Sequence, residues 1–264
     1  MACTMTPVPS AAIDLKPADF HGVTLVGGGP GDPELITVAG LRALLAADVV
    51  VTDRLAPREL LAGLAPGVEI IDVAKIPRGA FTPQEDINAL LIDRARRGGN
   101  VVRLKGGDNY VFGRGFEEVL ALQAADVPVR VIPGLSSAIS VPAIAGIPVT
   151  HRGVVHGFTV VSGHVPPGHS DSLVNWDSLA QSNGTLVVLM GVENAGAIAS
   201  RLIAAGRPDA EPVAVIADGS LPGERVHRTT LGQLDQVVRD ESVEPPAIII
   251  VGAVVAIGPN RESS

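Results

Sequence analysis

Val26-Gly-Gly-Gly-Pro-Gly-Asp-Pro-Glu-Leu-Ile-Thr37 is the stretch that decides the fold. It leaves a short apolar run at 23–27 and enters a segment with helical spacing at 34–46, so it reads as strand, glycine turn and helix. Small residues there let a ligand come close to the backbone. The dinucleotide fingerprint fails: counted from Gly27, Asp32 stands where the third glycine belongs, and Pro30 removes an amide that a phosphate would want. A nicotinamide cofactor is therefore not expected. By itself the segment reads equally well as a tight turn.

Working outward, the same alternation continues. Strands are expected at 48–52, 69–73, 100–105 and 128–132. Helices are expected at 84–97, where Ile87, Leu90, Leu91 and Ala95 recur at helical spacing, at 115–125 and at 136–145. After about His156, strands are expected at 158–162, 185–189, 212–217 and 247–251, helices at 194–205 and 231–239, and a short antiparallel strand at 225–229. The alternation in the first half implies βαβ units and a mostly parallel sheet. The segment 146–153 reads as a hinge. The expected organisation is a flexible N-terminal extension (1–21), an N-terminal α/β domain (22–153), a C-terminal α/β domain (154–258) and a flexible tail (259–264). A cleft between two such domains is a usual ligand site.

Composition narrows the function. The chain has 264 residues, 46% of them apolar and only 3% aromatic, which suits strands buried on both faces under Ala-rich helices. There is no signal-peptide pattern, and the longest apolar stretch, 247–257, is too short to span a bilayer, so a cytoplasmic protein is expected. The lone Cys3 excludes an intramolecular disulfide. A formal charge of −8 argues against nucleic-acid binding, and any anionic ligand must meet locally placed Arg and Lys. His151, His156, His164 and His169 are too scattered for a metal site, so no metal is expected.

Further motifs follow. In Arg103-Leu-Lys-Gly-Gly-Asp-Asn-Tyr-Val-Phe-Gly-Arg-Gly115 a strand ends in two glycines and an acid that could accept hydrogen bonds from a ligand. In Ile132-Pro-Gly-Leu-Ser-Ser-Ala138 either serine can cap the next helix, and exposed amides there could hold a carboxylate. Asp32, Asp53 and Asp108 each follow a separate strand, the place where α/β proteins gather their sites.

Taken in order, these segments, with Ala47-Asp-Val-Val-Val-Thr-Asp-Arg-Leu55, Pro83-Gln-Glu-Asp-Ile-Asn88, Phe112-Gly-Arg-Gly115, Ala145-Gly-Ile-Pro-Val-Thr-His-Arg152 and Leu189-Met-Gly191, resemble the tetrapyrrole methyltransferase family, in its uroporphyrinogen-III branch. The resemblance runs from about Gly22 to Val255. It implies an α/β protein of two αβα domains, a homodimer, and a cleft for S-adenosyl-L-methionine (SAM), the methyl donor. The implied reaction is C-methylation of uroporphyrinogen III at C2 and C7 to give precorrin-2 for sirohaem or cobalamin. Alternatives are methylation of a later precorrin, or a SAM-binding homologue without turnover. A fused sirohaem synthase is not expected, because about 20 residues precede Gly22.

Carried over by position, the cofactor contacts are Pro30, Gly106, Gly107, Asp108, Val111, Ser136, Ser137, Met190 and Gly219. Asp53 is implied as proton acceptor, Lys75 as proton donor and Glu117 as a third catalytic group. Arg114 and Arg152 would bind the substrate's carboxylates, with Arg54 and Arg78 as weaker candidates; Arg forks suit carboxylates. The chain departs from the family pattern at Thr52, Asn109, Tyr110, Phe116 and Leu135-Ser136.

Overall fold

A computed structural model describes residues 20–74 and 82–257. The expected extension (save Phe20 and His21), the tail, Lys75 and Arg78 lie outside the described residues.

The first strand, β1 (Gly22–Gly27), is buried at all six positions. The helix expected from Glu34 begins later. Asp32 accepts from Glu34 N and caps a single 3-10 turn, Pro33–Leu35; Ile36 is extended; and Thr37, accepting from Gly40 N, caps α1 (Val38–Leu45). Two caps in succession break what spacing alone reads as one helix. Then come β2 (Val49–Thr52), a 3-10 segment (Arg58–Gly63), β3 (Glu69–Asp72), α2 (Gln84–Arg96), β4 (Asn100–Lys105), α3 (Gly115–Ala124) and β5 (Val129–Ile132). The sheet order is β3-β2-β4-β1-β5, parallel throughout. One face packs on α1 through Val26, Val50, Val102 and Leu104, the other on α2 and α3 through Val23, Leu25, Val51 and Val101. β1 and β4 are neighbours whose following helices leave to opposite faces, so their carboxyl ends form a topological switch point.

The next helix, α4 (Ser137–Ile144), follows β5 in the chain, yet its Ala138 and Val141 pack on the second sheet with Val187, Leu189, Ala214, Ile216, Ile248 and Ile250. That sheet contains β6 (Phe158–Ser162), β7 (Thr185–Leu189), β8 (Pro212–Ala217), β9 (Arg225–Thr230) and β10 (Ala247–Val251), in the order β6-β7-β10-β8-β9. Its other face carries α5 (Trp176–Ala180), α6 (Ala195–Ala204) and α7 (Leu234–Asp240). Both sheets are thus sandwiched by helices.

The first half forms the parallel sheet expected of it, and in the second half, where an antiparallel strand was expected at 225–229, only β6 and β7 pair in parallel. β10 runs antiparallel between β7 and β8, and β9 returns antiparallel along β8. The link from β8 to β9, 218–224, is too short for a parallel crossover, which needs a dozen residues or more.

Candidate active site

Three loops at the carboxyl end of the first sheet meet on backbone. Gly29 and Gly107 exchange hydrogen bonds, Gly29 N to Gly107 O at 3.2 Å and Gly107 N to Gly29 O at 2.6 Å, while Gly28 N donates to Lys105 O at 2.7 Å. A Cβ on Gly134, in the loop after β5, would lie 2.3 Å from Gly107 O and 2.5 Å from Gly27 C, so that approach requires glycine. Gly107, at φ 67°, faces open space where its own Cβ would be. The result is a side-chain-free cradle, shaped for a ligand that lies along the backbone.

Asp108 clamps the rim. Its Oδ1 accepts from Tyr110 N (2.8 Å) and Val111 N (3.3 Å), and its Oδ2 from Gly134 N (3.2 Å). Asn109 is buried and donates to Ile132 O at 2.8 Å, tying the same loop to β5.

The second half closes on this rim. Asp32 N donates to Ser220 Oγ at 3.2 Å, and Gly31 sits against Leu221. Gly219 presses on α4, where its Cβ would be 2.3 Å from Val141 Cγ1. Asp218, Ser220 and Met190, all after second-sheet strands, adopt positive φ (50°, 71° and 55°), and Met190 is half exposed. Ser136 caps α4 by accepting from Ala138 N at 3.3 Å.

A group of charges lies just inside the first sheet's carboxyl end. Glu118 of α3 is fully buried, and its Oε1 accepts from Arg103 Nε (3.1 Å), Lys105 Nζ (3.1 Å) and Gln84 Nε2 (3.3 Å). Arg103 continues to Asp53 Oδ2 at 3.3 Å, and Asp53 Oδ1 accepts from Leu55 N at 3.2 Å. Burial, then Arg103, push the Lys105 ammonium below the ordinary lysine range, against the pull of Glu118 and Asp53. A hollow of about 500 Å3 between residues 153–159 and 182–184 lies at the amino ends of β6 and β7, away from these groups.

The family model for tetrapyrrole (corrin/porphyrin) methylases matches residues 22–235, which include every loop of this site in the first half and the turns after β7 and β8. The chain belongs to the tetrapyrrole methylase family. It is 45% identical over 236 residues to the uroporphyrinogen-III C-methyltransferase of Methanocaldococcus jannaschii, covering 89% of this chain and 97% of that one. It superposes at a TM-score of 0.74 and 44% identity on the Thermus thermophilus uroporphyrin-III C-methyltransferase complexed with S-adenosylhomocysteine, covering 89% of this chain and 99% of that one. A cobalt precorrin-4 methyltransferase superposes at 0.80 with 27% identity, covering 88% and 95%.

Within this tetrapyrrole methylase, the residues expected at the cofactor fall on the loops just described. Pro30, Gly106, Gly107 and Asp108 surround the Gly29–Gly107 bridge, and Val111 is the half-exposed residue whose amide Asp108 holds. Ser136 and Ser137 begin the helix that Gly219 touches, and Met190 follows Leu189, which shares a core with that helix. Asp108 and Ser136 both spend acceptor capacity on the protein's own amides, which fixes the loops.

Asp53 lies half buried at the mouth of the ionic group. Arg114, left-handed at φ 57° and heading α3, is exposed and forked onto Glu117 at 2.9 and 2.7 Å. That fork holds the Glu117 carboxyl below the usual carboxylate range. Arg152 is exposed and has no ion-pair partner among the described residues.

Sequence reasoning missed Glu118, Arg103 and Lys105 as a group. The signal was present: Arg103 and Lys105 alternate in an otherwise apolar strand, which puts both on one face, and Glu118 falls among the buried helix positions Gly115, Val119 and Leu122.

Proposed function

We propose that the chain is a uroporphyrinogen-III C-methyltransferase, methylating C2 and C7 to give precorrin-2, the branch point to sirohaem and cobalamin. The observation that carries this reading is the 45% identity to an enzyme of that name over 97% of its length, spanning the glycine cradle and the charged rim together.

The glycine cradle fits SAM because it offers backbone and space where side chains would obstruct. Pro30, Gly106, Gly107, Asp108, Val111, Ser136, Ser137, Met190 and Gly219 would hold it. When bound, SAM supplies an electrophilic methyl carbon on a sulfonium, so no metal is needed for activation.

The protein's own contribution is positioning of the attacking ring carbon, charge stabilisation and handling of one proton per methylation. A pyrrole carbon that accepts a methyl leaves the ring cationic. Asp53, at the carboxyl end of β2, is the carboxylate assigned to face that charge and take the proton, with Lys75 as donor. Arg114 and Arg152 anchor substrate carboxylates, and Glu117 holds the Arg114 fork ready for exchange. Homodimerisation is supported by the exposed Tyr110, Phe116 and Leu120, of which Tyr110 and Phe116 make an edge-to-face contact at 5.7 Å. No helix among the described residues is long and apolar enough to cross a membrane, in keeping with a cytoplasmic site of action.

The test is purified protein with uroporphyrinogen III and methyl-labelled SAM. Two labels per tetrapyrrole are expected. No transfer to uroporphyrinogen III, with transfer to a later precorrin, would overturn the assignment in favour of the activity named for the precorrin-4 enzyme. SAM binding without transfer to any tetrapyrrole would leave a binding homologue.

A further inference from the structure

Burying a carboxylate is costly, and a buried ion pair is seldom more stabilising than apolar side chains of similar size. Glu118 is fully buried, its Oε2 has no hydrogen-bond partner among the described residues, and Arg103 and Lys105 beside it are 3% and 4% exposed. Fold stability is thus a poor reason for this group, and its connections suggest another.

Every nitrogen of the Arg103 guanidinium is committed. Nε donates to Glu118 Oε1, Nη1 to the carbonyls of Leu104 (3.1 Å) and Val51 (3.4 Å), and Nη2 to Asp53 Oδ2 (3.3 Å). A planar fork held at all three nitrogens has one orientation. Asp53, 29% exposed by its side chain, is where the group reaches the surface; its other oxygen is held by Leu55 N. The charges also close: Arg103 and Lys105 are balanced by Glu118 and Asp53, so the inner three groups carry one net positive charge that Asp53 answers.

We infer that Arg103 and Glu118 are positioning residues for methyl transfer: Glu118 fixes the Arg103 guanidinium, and Arg103 aims the Asp53 carboxylate at the substrate ring. Lys105 completes the charge balance. This inference rests on the assignment of Asp53 as the reacting carboxylate.

A double-mutant cycle on the full chain tests it, with Arg103→Lys, Asp53→Asn and the pair. The readouts are kcat, KM for uroporphyrinogen III, S-adenosylhomocysteine affinity by calorimetry, and thermal unfolding. Arg103→Lys keeps the charge but cannot fork to both acids. It should lower kcat about 10- to 100-fold while KM stays near wild type, as expected for a misplaced reacting group. S-adenosylhomocysteine affinity should change less than about threefold, and so should kcat when Arg103→Lys is added to Asp53→Asn, because coupled residues are not additive. Losses that multiply in the pair, or a matching loss of S-adenosylhomocysteine affinity, would overturn the inference. Wild-type kcat in Asp53→Asn would instead sink the assignment of Asp53, and the inference with it. Should Arg103→Lys fail to fold, Glu118→Gln, which keeps shape and removes charge, runs the same cycle with the same criteria.

Discussion

The middle strand of the first sheet, β4, buries Arg103 and Lys105; the middle strand of the second, β10, buries Ile248, Ile249, Ile250 and Val251. Both strands are covered on two faces, so position in the sheet does not explain the contrast. What differs is the helix opposite. α3 offers Glu118 to β4, while β10 meets Ala138 and Val141 of α4 on one side and Ile198 and Leu202 of α6 on the other. The first half accepts the cost of buried charge where its strands end at the site. The second half supplies an apolar wall and the turn after β8, where Ser220 and Leu221 meet Asp32 and Gly31 beside the glycine cradle.

The largest effect that would sharpen this contrast is at Asp53. Asp53→Asn should lower kcat about 100- to 10,000-fold, the range expected for a lost acid–base group, with S-adenosylhomocysteine affinity unchanged. Label-transfer kinetics beside calorimetry would check it, and a loss smaller than tenfold would break the assignment. Next comes Glu118→Ala, which leaves two buried cations with only the half-buried Asp53 to balance them and should cost about 3–5 kcal/mol in urea unfolding. Replacing Arg103, Lys105 and Glu118 together by Met, Met and Leu should be near neutral for stability yet abolish turnover. In the second sheet no compensating set exists, because Ile249→Ala leaves a cavity costing about 2–5 kcal/mol.

Gly134→Ala should cost about 1–3 kcal/mol by overpacking and weaken S-adenosylhomocysteine binding, since the added methyl meets Gly107 O. Gly157→Ala, with nothing within 4 Å of its Cβ position, should stay within about 0.5 kcal/mol. The smallest effect is at the surface. Arg114→Ala should raise KM for the tetrapyrrole more than it weakens SAM binding; equal losses would contradict its role. The same change should return the Glu117 carboxyl toward its ordinary value. That carboxyl is depressed in the folded protein, so its contribution to stability is present above the unfolded value of 4.5 and is lost as pH falls. An NMR titration of Glu117 in both proteins would read the shift.

Much of the first half was legible because its signals are local. Strand length, glycine turns and helical spacing at Ile87, Leu91 and Ala95 place β1 to β5, α2 and α3 to within a residue or two, and the cofactor candidates of that half fall on the loops that result. Where local signals conflict, reading failed: Asp32 and Thr37 are both good caps, and only the extended Ile36 between them shows that the chain uses both. Glu117 and Glu118 look alike in sequence. One turns outward to Arg114 and the other inward to Arg103, and the apolar spacing of α3 was the one available clue.

The sequence by itself determined the alternation of strand and helix, the glycines that let three turns touch, and an acid or arginine after most strands of the first half. Those features depend on neighbours within a few residues. The tertiary structure alone decided that β10 inserts antiparallel between β7 and β8, that α4 crosses to the second sheet, and that Arg103 joins Glu118 to Asp53 across 15 and 50 residues of chain. Those outcomes depend on which surfaces meet. A strand carries the same alternation in either direction, and a buried charge shows its purpose only beside the partner that balances it.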